Sequence, residues 1–393
     1  MTELRARRRL QLRGVATLFV ASLVAVCAQT PSSWLSAPEI VAPGVEYYTS
    51  TDRTLADPAG PTAVFLLKLD PAKVQLDSVH AKNQIMGLET VDAIARTHNA
   101  IAAVNAGFFN TRNGDPATVL KIGGELVSDT SMTRGVVIVN SPVAGPTTLN
   151  FDQVGVKQEL RFKSGDKDVA VPIDGVDTTR AIGKLMLYTP MYSADSDTAP
   201  TGTEWVVSGT PLQVKEVRRG AGRTPIPKDG FVLSFGGTDL PSPLNQLNPQ
   251  VQVNLHTNWI SLNGVSSSEL DAAEHIVNGA GLLRRNGKPV TDWKSESLSG
   301  PAFTDSRHPR TVIGVDDNGF IWLIAIDGRQ PDRAVGMNFA ELQRLCDRLR
   351  ITDALNLDGG GSTSMVVKGE IKNKPSDAAG PRAVGDALIV TIR

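Results

Sequence analysis

Apolar residues along the chain come mainly in short runs that are separated by glycine, proline and asparagine. Runs of this length, rich in valine, leucine and isoleucine, predict buried or half-buried β-strands. Between two of them, the Asn318-Gly319 pair predicts a tight hairpin. The predicted strands are residues 62–69, 74–79, 101–104, 119–122, 126–127, 135–139, 185–188, 205–207, 214–217, 231–235, 251–256, 311–315, 320–326, 365–367 and 387–392.

Helical periodicity is found in two places. Thr90 precedes a predicted helix over residues 91–96. From Phe339 onward the apolar residues share one helical face, and Asn338 with Glu341 makes a capping box. Because strands dominate and do not alternate regularly with helices, the pattern predicts an α+β fold with mixed or mostly antiparallel strands and few helices, not a doubly wound sheet.

The N-terminus differs in composition from the rest of the chain. Five arginines lie within the first fourteen residues, and an apolar run follows at 15–26. This order predicts a signal peptide or N-terminal anchor over residues 1–28, and therefore export to the envelope or the medium. The run is short for a membrane span, so membrane contact is expected only through an uncleaved N-terminal segment. The composition of residues 29–60 predicts an irregular linker or lead-in. We expect residues 61–393 to form a single large domain.

Composition and charge narrow the class of protein. The 393 residues are 41% hydrophobic and 21% charged, with a formal net charge of −1, as in a globular protein. Without a basic stripe, nucleic acid is not an expected partner. Of the two cysteines, Cys27 falls in the predicted signal and Cys346 on the apolar face of the second helix. A disulfide framework, a cysteine metal site and a cysteine nucleophile are therefore excluded.

The most informative stretch is residues 353–365. An apolar run carries Asn356 and Asp358 and then breaks into three glycines followed by serine and threonine. It differs from a phosphate-binding P-loop because the lysine and the following helix are both missing. Consecutive glycines favour close approach of the backbone to a ligand. A tight turn capped by Asp358 is the alternative.

Other polar residues also lie where predicted strands begin or end. Asn105 precedes Gly107, Arg310 precedes a strand, and Asp327 with Arg329 follows the hairpin. Arginines and amides suit an anionic group, whereas a carboxylate suits attack at a sugar carbon or activation of water. The order of a Ser-His-Asp triad and the HExxH motif are both missing, and His308 stands alone. The pattern permits chemistry on a sugar phosphate without singling it out.

Several motifs in fixed order resemble the phosphodiester glycosidase family, which includes uncovering enzymes and exported bacterial members linked to exopolysaccharide. They are residues 105–109, 187–190, 279–283 with 286–287, 309–314, 327–329 and 356–363. The resemblance implies an α+β fold and hydrolysis of a sugar-1-phosphodiester in an envelope or extracellular glycan. Gly279-Ala280-Gly281-Leu282 departs from the Gly-Gly-Pro common in relatives, and the long middle region matches poorly.

Carried over residue by residue, the resemblance implies a site around Asp358, and the pattern of residues adds Gly361 and Arg382. The predicted catalytic residues are Asp358, Asp327, Arg310 and Asn105, and the predicted substrate-binding residues are Arg329, Asn356, Gly359, Gly360, Gly361, Ser362, Thr363 and Arg382. Which aspartate is the nucleophile or base stays open. One alternative is a non-catalytic glycan-binding or assembly protein of the envelope. Another is a hydrolase in which Asp327 and Asp358 bind a cation such as Ca²⁺.

Overall fold

The computed structural model describes residues 34–298 and 300–393. The predicted signal at residues 1–28 lies outside this range. Trp34–Arg393 forms one compact unit. Among the described residues, none of the helices has the length and apolar character that crossing a membrane requires.

Strands make up most of the regular structure in the described part of the chain. The first are β1 Glu39–Ala42, β2 Val45–Ser50, β3 Val64–Leu69, β4 Val74–His80, β5 Ala102–Asn105, β6 Leu120–Ile122, β7 Glu125–Ser128, β8 Thr130–Asn140, β9 Thr148–Ser164, β10 Lys167–Pro172, β11 Gly175–Val176 and β12 Leu185–Tyr188. They are followed by β13 Thr203–Ser208, β14 Gln213–Arg219, β15 Gly230–Phe235, β16 Val253–Ser261, β17 His275–Asn278, β18 Leu282–Arg285, β19 Lys288–Pro289, β20 Arg310–Asp316, β21 Ile321–Ile326, β22 Ile351–Asn356, β23 Met365–Val367, β24 Glu370–Ile371 and β25 Asp386–Ile392.

The described helices are short and few. They are α1 Val91–Thr97, α2 Ser267–Ala272, α3 Pro301–Thr304 and α4 Phe339–Arg348. The predicted capping box of α4 is present, because the Asn338 side chain accepts from the Glu341 N–H and the Glu341 carboxylate accepts from the Asn338 N–H. Cys346 is buried on the apolar face of α4, and burial raises the pKa of its thiol to about 12. The expectation of an inert core thiol is confirmed.

The described strands form four sheets. Eight strands pair in the order β1-β2-β3-β21-β20-β22-β18-β19, and a second sheet has the order β10-β9-β8-β17-β6-β7 with β16 also on β9. Two five-stranded sheets have the orders β11-β12-β15-β13-β14 and β24-β23-β5-β25-β4. All pairs between these strands are antiparallel except β11 with β12, which confirms the predicted fold class.

The predicted linker at residues 29–60 is wrong for residues 39–50. There, β2 pairs with β3 along its whole length, with Tyr47 opposite Leu67, and β1 forms the edge of the eight-stranded sheet. Val45 is fully buried in the main core, and Tyr47 packs against that core. The prolines, serines and threonines on either side of β2 favoured the prediction of a linker, although its few apolar residues have the spacing of a strand.

The longest strand, β9, was missing from the sequence prediction. It pairs with β8, β10 and β16 and therefore organises the second sheet. Val156, Leu160 and Phe162 are buried, while Lys157 and Arg161 between them are exposed. This alternation of buried and charged residues is typical of a half-buried strand and could have predicted β9. Strands β10, β11, β17, β18, β19 and β24 were also not predicted.

Candidate active site

A cavity of about 240 Å³ lies where β20 begins and β22 ends. Two partly buried phenyl rings form one part of its wall, and the glycine-rich loop forms another. Three arginines and one aspartate face it. The lining residues are Phe108, Phe303, His308, Pro309, Arg310, Arg329, Asp358, Gly359, Gly360, Gly361 and Arg382.

Backbone hydrogen bonds bring the separate strand ends together. The N–H of Leu357 donates to Thr311 O at 2.8 Å, which joins the end of β22 to the start of β20. The next N–H, of Asp358, donates to Ala106 O at 2.9 Å, which joins β22 to the segment after β5. Asn105 Nδ2 donates to Asp358 O at 2.6 Å. The cavity therefore forms where the eight-stranded sheet and a five-stranded sheet meet.

Asp358 is the one carboxylate among the residues that line the cavity. Its Oδ1 accepts the N–H of Gly359 at 2.9 Å. Burial raises the pKa of this carboxyl to about 6, although the Gly359 N–H and the charges of Arg382 and Arg329 act in the opposite direction. A carboxyl that ionises close to neutral pH can serve as a base or as a nucleophile.

Arg329 lines the cavity with an uncompensated charge, because no carboxylate of the described residues forms an ion pair with it. Its Nη2 approaches Nδ1 of His308 at 3.4 Å, and His308 Nε2 lies 3.1 Å from Ala302 O. Arg329 has a φ of +60°, an uncommon conformation for a residue with a side chain. A guanidinium that faces a cavity without an ion-pair partner among the described residues suits an anionic ligand.

Two of the glycines lie close to the guanidinium groups of neighbouring arginines. Gly360 has a φ of +61°, and a Cβ there would lie 3.0 Å from Nη2 of Arg329. A Cβ on Gly361 would overlap the guanidinium of Arg382. The N–H groups of Gly359 and Gly360 already donate to Asp358 Oδ1 and Pro309 O. These two N–H groups are thus used within the protein, and the loop admits arginines close to its backbone.

Arg310 is both part of the wall and part of the core. It is only 2% exposed, and its Nε donates to Met337 O at 2.9 Å while Nη2 donates to Phe303 O at 2.6 Å. Its guanidinium lies 5.1 Å from the ring centre of Phe303 and 5.0 Å from that of Phe339. Burial lowers its pKa to about 10, so it stays charged at neutral pH. None of its described hydrogen bonds uses Nη1.

Arg382 faces the cavity with its charge already compensated. Its Nε donates to Asp377 Oδ2 at 2.8 Å, and its Nη2 donates to Asp377 Oδ1 at 3.1 Å. This two-point ion pair is about one-third exposed on both sides. Arg382 therefore contributes less net positive charge to the cavity than Arg329 does.

Asp327 is placed outside the cavity lining. It is 1% exposed and forms an ion pair with Arg333. Its Oδ1 also accepts from Asn373 Nδ2 and from the Lys374 N–H, both at 3.1 Å. These contacts hold the segment that leads toward β25, and the carboxylate is not among the groups that line the cavity.

The remaining predicted residues lie behind the cavity wall. Asn105 is 1% exposed, and its Oδ1 accepts from Thr311 Oγ1 at 2.7 Å and from the Ser364 N–H at 3.1 Å. Asn356 Nδ2 donates to Ala280 O at 2.6 Å. Ser362 and Thr363 are fully buried. The structure thus brings Arg310, Arg329, Asp358, Gly359, Gly360, Gly361 and Arg382 to the cavity and Asn105, Asn356, Ser362 and Thr363 behind it.

Comparison with known proteins assigns most of this cavity to one family. The family model of the phosphodiester glycosidases matches residues 201–391, which include every arginine of the cavity and Asp358. Residues 201–391 belong to the phosphodiester glycosidase family. The part of the cavity contributed by Phe108 comes from outside that range.

Sequence relatives of this phosphodiester glycosidase domain include proteins from bacteria and mammals. An uncharacterized protein of Rickettsia conorii is 25% identical over 266 residues, which cover 66% of this chain and 86% of that protein. The human N-acetylglucosamine-1-phosphodiester alpha-N-acetylglucosaminidase is 32% identical over 102 residues, which cover 26% of this chain. That match spans only 19% of the human enzyme.

Solved structures support the fold of the phosphodiester glycosidase domain and its surroundings. A Synechocystis protein superposes with a TM-score of 0.73 at 23% identity, covering 90% of this chain and 63% of that one. A candidate exported protein of Burkholderia pseudomallei superposes with a TM-score of 0.69 at 24% identity, covering 84% of this chain and 74% of that one. At these identities the likeness concerns the fold.

Several residues in and around the cavity were not among the predicted site residues. Phe303 and His308 line the cavity, Asp377 neutralises Arg382, and Asn278 and Asp386 hold the segment that leads to Phe108. Asn278 had a signal, because Asn278-Gly279 after β17 repeats the strand, amide and glycine order seen at Asn105. Asp386 had none, since a single aspartate at a strand start is common.

The residues do not fit the calcium ion considered from the sequence. Asp327 directs its oxygens to Arg333, Asn373 and Lys374, whereas Asp358 lies among arginines. A hard cation requires several converging oxygens and few positive charges. The donor set around Asp358 has the opposite character and does not suit a calcium ion.

Proposed function

We propose that this chain is a phosphodiester glycosidase that hydrolyses a sugar-1-phosphodiester. The observation that carries the proposal is the juxtaposition of Asp358, whose carboxyl has a pKa of about 6, with the unpaired guanidinium of Arg329 in one cavity. Membership of residues 201–391 in the glycosidase family supports the same reaction class. A site of one carboxylate and one available cation matches a substrate that joins a sugar carbon to a phosphate.

The reaction breaks the bond between the anomeric carbon and the phosphate oxygen. Water supplies a hydroxyl group to the sugar and a proton to the products, which are a free sugar and a phosphomonoester. The bonding electrons leave with the phosphate oxygen. In this proposal Arg329 and Arg310, which both line the cavity, stabilise that charge, so the leaving group does not need a strong acid.

Asp358 acts at the sugar side of this bond in one of two ways. As a base it removes a proton from water, which then attacks the anomeric carbon with inversion of configuration. As a nucleophile it forms a glycosyl ester that water hydrolyses afterwards, with retention. In both routes Asp358 must be ionised when the reaction begins.

Two phenyl rings give the cavity an apolar wall for the sugar. Phe108 and Phe303 lie 6.2 Å apart between ring centres, and both are partly exposed to the cavity. Carbohydrate C–H faces pack on aromatic rings of this kind. The volume of about 240 Å³ is small for a ligand site, which favours recognition of one sugar and its phosphate over recognition of a long glycan segment.

The substrate we propose is a sugar-1-phosphodiester in an envelope or extracellular glycan. The arginine-rich N-terminus followed by an apolar run supports export to that location. The name of the human relative specifies an N-acetylglucosamine-1-phosphodiester, so this linkage is a natural first substrate to test.

The test is release of phosphomonoester from defined sugar-1-phosphodiesters by the purified full chain. We expect turnover by the wild type and loss of turnover in Asp358→Asn, with the folded structure retained. NMR of the first-formed sugar anomer then distinguishes inversion from retention. Binding of the sugar phosphodiester without any product release would contradict the proposal and favour a non-catalytic glycan-binding protein.

A further inference from the structure

The segment Ala106-Gly107-Phe108 is held at three points by groups from distant parts of the chain. The Asp358 N–H donates to Ala106 O at 2.9 Å, the Gly107 N–H donates to Asp386 Oδ1 at 3.0 Å, and the Phe108 N–H donates to Asn278 Oδ1 at 2.8 Å. Asp358, through its backbone N–H, and Asp386, through its carboxylate, therefore hold adjacent residues of the same segment. Phe108 then enters the cavity wall.

The surroundings of Asp386 offer little stabilisation to a negative charge on its carboxyl. The side chain is 3% exposed, and the Gly107 N–H is its one described hydrogen-bond donor. Its Oδ2 has no described partner, and no lysine, arginine or histidine of the described residues forms an ion pair with it. Burial of an unpaired charge is costly, so a proton on this carboxyl is strongly favoured.

Two buried side-chain atoms without a described hydrogen-bond partner, Asn278 Nδ2 and Asp386 Oδ2, lie close to Gly107. A Cβ on Gly107 would lie 2.9 Å from Asn278 Nδ2 and 3.1 Å from Asp386 Oδ2. Asn278 Nδ2 also has no described hydrogen-bond partner. A buried amide and a buried carboxyl oxygen thus face the same glycine, which leaves no room for a side chain there.

We propose that Asp386 and Asp358 form a coupled carboxyl pair that carries one negative charge in the working protein, with the charge on Asp358 and the proton on Asp386. Asp386 does not line the cavity, so it is a positioning residue that acts through Asp358 and the Gly107 backbone. Its effect on turnover rests on the proposed function. Its protonation is a property of the folded chain alone.

The charges around the pair agree with this division of roles. Burial raises the pKa of Asp386 to about 7, and the charge of Asp358 acts in the same direction while the Gly107 N–H opposes it. Arg329 and Arg382 stabilise the ionised form of Asp358 instead. His80 stands opposite Asp386 on β4, but burial lowers the pKa of its imidazole to about 4, so it is neutral.

Loss of the second proton has a consequence for an anionic substrate. Above about pH 7 both carboxyls become ionised, which places two negative charges behind the position of a phosphodiester. Repulsion then weakens substrate binding more than it slows the chemical step. The pair would appear in kinetics as a rise of KM on the alkaline side.

A titration of labelled aspartate carboxyls by carbon NMR or infrared spectroscopy tests the pair without substrate. In the wild type we expect a protonated carboxyl that titrates near pH 7 and is missing from Asp386→Asn. In Asp358→Asn the same carboxyl should titrate at lower pH, because the neighbouring charge is gone. If no carboxyl signal is lost in Asp386→Asn, or if the signal does not move in Asp358→Asn, the proposal is overturned.

Kinetics give the second readout, with Asp129→Asn as the matched control. Asp129 also has a carboxyl pKa raised to about 6 by burial, but it is not part of the cavity lining. We expect the KM of the wild type and of Asp129→Asn to rise about tenfold between about pH 6.5 and about pH 8.5. In Asp386→Asn the KM should stay level. An equal loss of kcat at every pH in Asp386→Asn, with an unchanged KM profile, would show a merely structural role.

These two readouts separate the pair from the proposed function. If the wild type releases no phosphomonoester but the titration shows the coupled carboxyls, the reaction is wrong and the pair stands. If turnover is found and the Asp386 carboxyl titrates with ordinary exposed aspartates, the pair is wrong and the reaction stands.

Discussion

Asp327 follows β21 and Asp358 follows β22, and both of these strands pair with β20. Each aspartate is followed by a glycine, yet their surroundings differ. Asp358 faces a cavity, accepts a hydrogen bond from the Gly359 N–H, and has a carboxyl pKa raised to about 6 by burial. Asp327 is an ion-pair partner of Arg333 and accepts from Asn373 and from the Lys374 N–H. Two similar sequence contexts thus lead to one carboxylate that faces a cavity and one whose charge is compensated by its neighbours.

The difference shows that the partners of a carboxylate decide its role. Around Asp327 one donor, Arg333, comes from the connection after β21, and two others, Asn373 and Lys374, come from the segment after β24; together they compensate the charge. Around Asp358 the nearest cations, Arg329 and Arg382, reach the cavity as well, so their charge is shared with any ligand there. Reactivity follows from incomplete compensation of the charge.

The strongest test of the comparison is the same substitution at both aspartates. Asp358→Asn should lower kcat/KM for a sugar-1-phosphodiester by about 10³-fold or more, because the base or nucleophile is lost. Since its pKa is raised on folding, the ionised Asp358 opposes stability at neutral pH, so the melting temperature should not fall. Steady-state kinetics and thermal unfolding measure the two effects.

Removal of the unpaired cation should have the next largest effect. Arg329→Ala is expected to lower kcat/KM by about 10²-fold, because a guanidinium that contacts the phosphate contributes more in the transition state than in the free substrate. Arg348→Ala is a suitable control, since Arg348 pairs with Asp52 outside the cavity lining. Equal activity of the two variants would remove Arg329 from the site.

The pKa of Asp358 predicts the acid side of the pH profile. Asp358 must be ionised to react, so log kcat/KM should fall with decreasing pH once the pH passes below about 6. The loss should approach about tenfold for each pH unit in that range. An acid limb near pH 4, measured on the stable folded protein, would show that another group controls the reaction.

Asp327→Asn is expected to give the smallest change in activity and a clear change in stability. It should lower the free energy of unfolding by about 2 kcal/mol, because Arg333 loses its partner and buried donors lose an acceptor. Activity per folded molecule should stay within about twofold. Urea unfolding together with kinetics measures both, and a loss of turnover like that of Asp358→Asn would return Asp327 to the catalytic residues.

The sequence predicted the elements better than it predicted the partners of each side chain. The hairpin of β20 and β21, the capping box of α4 and the loop after Asp358 all depend on neighbouring residues, and each is present. The separation of Asp358 from Asp327 depends on Arg333, Asn373 and Lys374, whose contacts come from the tertiary fold. Local patterns carry no information about which carboxylate will be compensated.

The position of β25 has a consequence for the way the chain folds. This strand lies between β4 and β5, and the contact of His80 with Gly385 joins residues 305 positions apart. Pairing over such a separation is slow, because loop closure comes before most of the favourable contacts. Asp386 at the start of β25 also holds Gly107. We therefore expect the cavity to be completed late in folding, after much of the secondary structure has formed.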